Sequence, residues 1–341
     1  MREIVLHRVG PGVTIQDEGR PGFLSQGLSR GGAADLLALA EGAALLGQGN
    51  NCAAIEIAGS FLSLELTCPA RIALTGAPMR ARTGDGALVW QASHSLPAGA
   101  RLELSGSVGG YSYLHIGGGV DGPRRLGARS AHLAAGLGQM LEDGMRLPLG
   151  EDPGSATGLT FTPLPRFEGG ILRLIETPQT RLFPEDLRAR FTRTVFRKDA
   201  RGNRMGQKLV CDSTGEGFGL DAGLHILSET IVPGDIQITG DGAPFVLLSE
   251  CQTTGGYPRI GTVLPSDLPR LVQAPATAAL HFSFVTLEDA ITAERAQAAR
   301  RAGLRAALRP LRRDPHDIAD LLAYQLISGV TCGDDLERSA P

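Results

Sequence analysis

A mainly β fold, made of closed barrels or packed sheets, is what this sequence predicts, and three observations carry the prediction. Forty-six glycines and 21 prolines cut the 341 residues into short runs, the pattern of many strands joined by tight turns. Several runs alternate apolar and polar residues at a period near two: 55–57, 61–66, 101–104, 171–175 and 236–238. Others, such as 244–248 (PFVLL), are continuously apolar and read as strands buried on both sides. No strand–helix alternation of the parallel α/β kind is present.

Helices are few. Residues 33–46 (AADLLALAEGAALL) are rich in Ala and Leu, with Gly47 placed as a stop. Residues 184–191 form a short helix whose Glu185 and Asp186 suit the positive end of its dipole. Thr286 and Asp289 make a capping box, and Ala and Arg fill the body of a strong helix up to Pro310. A final helix opens at Asp314 with Pro315 in its first turn and lines up Ile318, Leu321, Leu322 and Leu326 before Gly329. The stretch 150–166 is dense in Gly, Pro, Ser and Thr and serves as the linker. The expected organisation is an N-terminal β lobe over 1–160, a C-terminal β-barrel lobe over 161–285 and a helical tail over 286–341.

Composition excludes several classes. With 42% hydrophobic residues the chain is too apolar for disorder, and with 5% aromatics it lacks a stacking platform for single strands. Thirty-three basic against 36 acidic side chains give a net charge of −3, so no pull towards nucleic acid or an anionic membrane is expected. Five dispersed cysteines without a Cys-x-x-Cys pair suit neither a disulfide framework nor zinc, and the histidines occur singly. No metal site is expected. The start lacks a signal-peptide core and no eighteen consecutive apolar residues occur, so the expectation is a soluble, cytoplasmic protein.

Four stretches carry candidate chemistry. In 14–35, Gln16, Asp17, Glu18 and Arg20 stand among glycines, a loop able to expose N–H groups and to set a carboxylate against a guanidinium, for an anionic or amide ligand. The plainer alternative is a local Asp17–Arg20 ion pair bracing a turn. In 249–260 (SECQTTGGYPRI), a buried strand empties into polar residues at a core edge. Gln252, Thr253 and Thr254 suit an amide better than a phosphate, Gly255 and Gly256 allow close backbone approach, and Tyr257 can cover the site. Glu250 is a general base or metal ligand in that reading; a glycine hairpin with exposed threonines is the alternative. Arg204 and Lys208, four apart after GNRMG, can hold a carboxylate or phosphate, or belong to a solvated turn. Arg124, Arg125 and Arg129 follow a glycine run that is neither a Walker loop nor a dinucleotide fingerprint, and face an anion, a partner chain or solvent. His115 and His281 sit in apolar runs and read as core residues, and a catalytic His225 stays open.

In order, TIQDEGRPG, GLSRGGAAD, SYLHIGGGVDGPRRLGARS, NRMGQKL, IVPGDIQITGDGAPFVLLSECQTTGGYPRIGTV and SDLPRLVQ resemble the biotin-dependent carboxyltransferase family, also labelled allophanate hydrolase subunit 2. The resemblance runs from about Ile4 to about Phe284. It implies two cyclophilin-like β-barrel lobes, a related smaller companion subunit (B type) and a lactam-utilisation subunit (A type). Two chemistries are known among its members. One is lactam opening of 5-oxo-L-proline to L-glutamate by an ATP-dependent 5-oxoprolinase of several subunits. The other is carboxyl transfer from carboxybiotin to urea or another amide. The first is the leading expectation, with ATP and magnesium; biotin enters only with the second. A non-catalytic protein-binding regulator is the third.

On this reading Glu250 and Asp17 are the catalytic carboxylates. Gln252, Thr253, Thr254, Gly255, Gly256, Tyr257, Gln16 and Arg20 bind substrate, and Arg204 and Lys208 bind an anion or phosphate. The sequence departs from the family pattern in two places. Leu28-Ser29-Arg30-Gly31-Gly32-Ala33-Ala34-Asp35 stands where the family usually has Pro-x-Ser-Gly-Ala-Met-Asp, and Glu250-Cys251 stands where Asp-Arg is familiar. Without a biotinyl-lysine motif or ATP-grasp pattern, the chain is expected to act only with partners.

Overall fold

The computed structural model describes residues 2–106, 109–211, 217–220 and 226–312. The first lobe is two sheets. A six-stranded sheet runs in the order Arg146–Pro148, Glu3–Val9, Leu62–Leu66, Arg101–Ser105, Arg80–Thr83, Gly86–Leu88. A seven-stranded sheet runs Val13–Gln16, Ala54–Ala58, Tyr111–Ile116, Ala70–Gly76, Ala92–Leu96, Leu159–Thr160, Arg309–Pro310. Ile4, Leu6, Leu64 and Leu102 of the first sheet meet Ile55, Ile57, Leu74 and Leu114 of the second in one dry core. The alternation at 55–57 and 101–104 places these side chains on the inner faces.

The second lobe closes. Its ring is Gly170–Ile175, Arg259–Val263, Asp235–Ile238, Pro244–Leu247, Gly206–Cys211, Phe196–Lys198, Leu280–Phe284, and the last strand returns to the first by a parallel pairing, Gly170 opposite Leu280. Inside it the Phe191 ring lies 5.0 Å from those of Phe196 and Phe282.

The expected pair of barrels is therefore corrected: among the described residues one seven-stranded barrel closes, and the first lobe is two open packed sheets. Period-two patterning decides which face is buried but not whether edges meet. Here two edge strands, Arg146–Pro148 and Arg309–Pro310, end in a proline that lacks the N–H a further ladder would need. The seven-stranded sheet also buries its outer face against a helix, so strand Ala70–Gly76 is buried at every position.

That helix, α1, spans Leu36–Leu45 and is buried from Leu37 onward. It starts later than residue 33 because Asp35 caps it: Oδ1 accepts from the amides of Leu37 and Ala38, both at 3.0 Å. Gly42 lies against the buried ring of His115, the expected core histidine, which hydrogen-bonds Thr75 Oγ1 at 2.9 Å and whose pKa burial lowers to about 3. A Cβ at Gly42 would fall 2.1 Å from that ring. Gly42→Ala should therefore destabilise by ~1–3 kcal/mol despite alanine's better helix propensity, the cost of overpacking a closed core. Thermal unfolding checks this, and a variant at or above the wild-type midpoint would contradict it.

Helix α2 (Glu185–Arg193) inserts Phe191 into the barrel, and α3 (Leu268–Gln273) lies at the lobe junction, where Gln273 accepts from the Tyr111 amide and donates to its carbonyl. Helix α4 (Leu287–Ala302) begins with the predicted Thr286 cap but stops at Gly303, short of Pro310. Residues Leu304–Ala307 make a 3₁₀ turn, and Arg309–Pro310 becomes a strand paired with Leu159–Thr160. The helix expected from Asp314 lies outside the described residues, as does His225. Among the described residues no helix is long and apolar enough to cross a membrane.

Candidate active site

The loop after strand Val13–Gln16 folds back on itself and onto the second lobe. The Ala33 amide donates to the Asp17 carbonyl, Arg20 to the carbonyl of Arg30, and Gly31 to that of Ser249, each at 2.9 Å. Gly19 and Gly32 face one another at φ +79° and +78°, and a Cβ on either would lie 2.6 Å from opposing backbone, so only glycine permits this closure. Asp17 braces the fold: Oδ1 accepts from Gly19 N at 2.9 Å and Oδ2 from Arg129 N at 2.6 Å. Buried Arg20 donates Nη2 to the Ser130 carbonyl at 2.5 Å and Nε to that of Arg125 at 3.3 Å. Asp17 and Arg20 thus bind backbone groups rather than each other. Burial lowers the Arg20 pKa, with Asp17 and Glu250 opposing.

Arg204 is the hub. The side chain of Asn203 accepts from the Met205 amide at 2.8 Å, a turn that points Arg204 across the lobe junction. Its Nε donates to Glu250 Oε1 at 2.5 Å, its Nη1 to Glu56 Oε1 and its Nη2 to the Gly32 carbonyl. Glu56 is fully buried, and its other oxygen accepts from Ala34 N at 2.8 Å and Tyr113 Oη at 2.7 Å. Burial by itself would lower the Arg204 pKa, but Glu56 and Glu250 outweigh it and hold the guanidinium charged. Glu250 Oε2 accepts from Ala134 N at 3.3 Å and lies 3.9 Å from His132 Nδ1, while His132 Nε2 hydrogen-bonds Ser29 Oγ at 2.9 Å. Burial lowers the His132 pKa and Glu250 opposes it.

In front of Arg204 a cavity of about 290 Å³ opens between the lobes. The first lobe lines it with Arg30, Gly31, Ala33, Ala34, Leu36 and Tyr111, the second with Arg204, Ser249, Leu248, Pro233, Pro265 and α3. Its walls are mostly apolar. Burial, with Glu56 adding, pushes the Tyr111 hydroxyl up to about 12, which keeps it a donor at neutral pH. The Ser249 hydroxyl has no partner among the described residues. Such a space offers apolar faces to the body of a small guest and a few fixed polar groups to its edge.

Of the residues predicted from sequence, the fold gathers Asp17, Arg20, Arg204 and Glu250 around the 29–34 loop. Gln16 is buried beside them, donating to Thr14 Oγ1 and the Ala131 carbonyl. Gln252, Thr254, Gly256 and Tyr257 are exposed, and Thr254–Gly255 pairs with Glu229–Thr230 in a two-stranded ribbon outside the cavity lining. Thr253 and Gly255 are half-buried there. Lys208 pairs with Asp241 at 3.0 Å, apart from the partners of Arg204. Cys251 is buried, and desolvation pushes its thiol up to about 12, so it is no thiolate nucleophile. Sequence reasoning missed Glu56, Tyr111, Tyr113, Ser29 and His132. Glu56 left a readable signal: Ile55 and Ile57 take the core face, which puts a carboxylate on the face that α1 and the 33–34 segment cover.

A β-sheet lobe and a β-barrel lobe, clamped by a buried ion network over a small shared cavity, define a two-lobed β domain with its candidate site at the lobe junction. The chain belongs to the family described as carboxyltransferase domain, subdomain A and B, which matches residues 26–284. It is similar to the C component of 5-oxoprolinase from Escherichia coli (strain K12), at 35% identity over 299 residues, covering 85% of this chain and 94% of that protein. Similarity to the C component of the Haemophilus influenzae 5-oxoprolinase is 29% over 282 residues, 81% and 89% of the two chains. Among solved structures, TTHA0988 superposes with a TM-score of 0.74 at 27% identity over 83% of this chain, which spans 56% of that one. The Kluyveromyces lactis urea carboxylase shares the fold, with a TM-score of 0.77 at 20% identity over 92% of this chain and 31% of that one.

Proposed function

We propose that this chain is the C-type component of a cytoplasmic ATP-dependent 5-oxoprolinase, opening 5-oxo-L-proline to L-glutamate with B-type and A-type partners. The observation that carries the reading is the interlobe cavity beside Arg204 and Glu250, in a chain that matches the C components of two 5-oxoprolinases over most of its length. A lactam ring packs on the apolar walls, and its amide edge meets the Tyr111 and Ser249 hydroxyls. Glu250 stands behind the lining and holds Arg204 at the cavity wall, so it acts as a positioning residue; Asp17 supports the opposing wall.

The two side chains expected to hold a phosphate are not offered to a triphosphate. Arg204 is committed to two protein carboxylates, Lys208 to Asp241, and the N-terminus of α1 to its own Asp35. No phosphoryl step is therefore routed through Arg204 or Lys208, and we assign the nucleotide and its magnesium to the partner subunits. The loop Gln252–Tyr257, exposed on its ribbon, is the substrate- or partner-facing edge in this reading.

The test is direct. The chain assembled with its partners and supplied with ATP and 5-oxo-L-proline should release glutamate and ADP, and Glu250→Gln should lower turnover by roughly 100-fold, the scale of a misplaced site residue, because it loosens Arg204 at the wall while the complex still forms. No glutamate from the wild-type complex would overturn the reading. The family description names carboxyl transfer, which supports one other reading, with carboxybiotin as the donor and an amide as the acceptor. It requires bicarbonate incorporation that avidin abolishes.

A further inference from the structure

We propose that Arg30 binds a carboxylate on the ligand, so that the interlobe cavity selects small cyclic amides carrying one negative charge. The proposal rests on the lactam reading above and adds the group that tells an anionic lactam from a neutral one.

Two guanidiniums line the cavity, Arg204 and Arg30, and only one is available. Arg204 has its Nε on Glu250, its Nη1 on Glu56 and its Nη2 on the Gly32 carbonyl. Its positive charge is shared between two protein carboxylates, so no nitrogen of its fork is left for a ligand anion. Arg20 stands behind the loop on the Ser130 and Arg125 carbonyls and does not line the cavity.

Arg30 differs on each count. It sits exposed at the mouth, and its Nε donates to the Glu18 carbonyl at 2.8 Å. Among the described residues neither terminal nitrogen has a hydrogen-bond or ion-pair partner. The carboxylate of Glu18, whose carbonyl takes the Arg30 Nε, is turned to Arg301 at 3.7 Å. An arginine anchored by Nε presents the remaining two-pronged edge that a carboxylate takes bidentately.

The backbone that carries it is held on three sides. The Arg30 carbonyl accepts from Arg20 N, Gly31 N donates to the Ser249 carbonyl, and Ser29 Oγ is fixed on His132. The donor is thereby preorganised, which lowers the ordering cost of binding. The remaining lining, including Ala33, Leu36, Leu248 and Val272, is apolar and suits the uncharged body of the ring. Neutral amides gain nothing from Arg30, whereas a lactam carboxylate completes its fork.

The experiment uses the assembled complex, with 5-oxo-L-proline and its analogue lacking the carboxylate, 2-pyrrolidinone. Arg30→Ala should raise the KM for 5-oxo-L-proline by roughly tenfold or more, the loss of one charge-assisted pair, and Arg30→Lys should restore part of it. The inhibition constant of 2-pyrrolidinone should be the same in wild type and Arg30→Ala. An unchanged KM, equal changes for both compounds, or loss of assembly in Arg30→Ala (which would make Arg30 a partner contact) would each overturn the proposal and leave the 5-oxoprolinase reading standing. If the wild-type complex turns over nothing, calorimetric titration with 5-oxo-L-proline separates the two. Binding that depends on Arg30 keeps the carboxylate assignment without the activity, and binding indifferent to Arg30 removes the assignment.

Discussion

Arg204→Met is expected to cost ~3–5 kcal/mol of stability, because breaking a buried ion network by removing its one cation leaves uncompensated carboxylates. Glu56 is 0% and Glu250 3% exposed, and they come from different lobes, so the loss falls on the junction as well as on each lobe. Neither carboxylate can turn to water. Glu56 keeps only the Ala34 amide and the Tyr113 hydroxyl, and Glu250 the long contact to Ala134 N. Arg204→Lys should fall between the two, since an ammonium restores the charge but cannot span Glu250, Glu56 and the Gly32 carbonyl at once. Adding Glu56→Gln to Arg204→Met should recover part of the loss. Urea unfolding of the four proteins reads this directly, and an Arg204→Met curve that overlays wild type would show that the network contributes nothing net. Activity of the assembled complex should fall with it, because Arg204 both lines the cavity and holds Glu250.

The reason Arg204 could be singled out from sequence but not understood there is distance along the chain. Its partner Glu56 is 148 positions away, and no local spacing announces such a pair. Features written in short windows were legible: the Thr286 cap, the alternating strands at 101–104 and 171–175, and the glycines that let residues 17–35 close on themselves. Features set by what packs against them were not. Arg309–Pro310 has no strand signal and is extended only because Leu159–Thr160 offers it an edge. Helix α4 carries good helix formers past residue 302, yet Gly303 ends it where the chain must turn towards that edge. Closure of one lobe and not the other depends on which edges meet, and the alternation is the same in both. In the site, Glu250 was visible because polar residues follow a buried strand abruptly. His132 and Ser29 were not, since each looks like an ordinary loop residue until the 29–34 and 128–134 segments are brought together.

The same logic gives Arg166→Leu a cost of similar size, ~3–5 kcal/mol, but with a dependence on pH that Arg204→Met need not share. Arg166, 3% exposed, donates Nε to Asp35 Oδ2 at 2.8 Å and both terminal nitrogens to Glu41 at 2.9 and 2.6 Å. It ties α1 to the segment entering the barrel, and Asp35 also accepts from Gln273 Nε2 at 2.8 Å. Burial pushes the Glu41 carboxyl up from 4.5 to about 7, with Arg166 opposing that rise. In that window the folded protein binds a proton that the unfolded chain does not, so this group's contribution to stability declines as pH rises from 4.5 through 7. Removing Arg166 removes the opposing charge, and the folded carboxyl then holds its proton to still higher pH. The deficit of Arg166→Leu relative to wild type should therefore be larger at about pH 8 than at about pH 5.5, where proton uptake neutralises the stranded carboxyl. Adding Glu41→Gln should relieve most of the excess at the higher pH. Denaturant curves for wild type, Arg166→Leu and the double variant at the two pH values decide it: a deficit that does not change with pH would mean that removing Arg166 leaves the proton affinity of Glu41 where it was, and that Asp35, already satisfied by the α1 amides and Gln273, carries the whole effect.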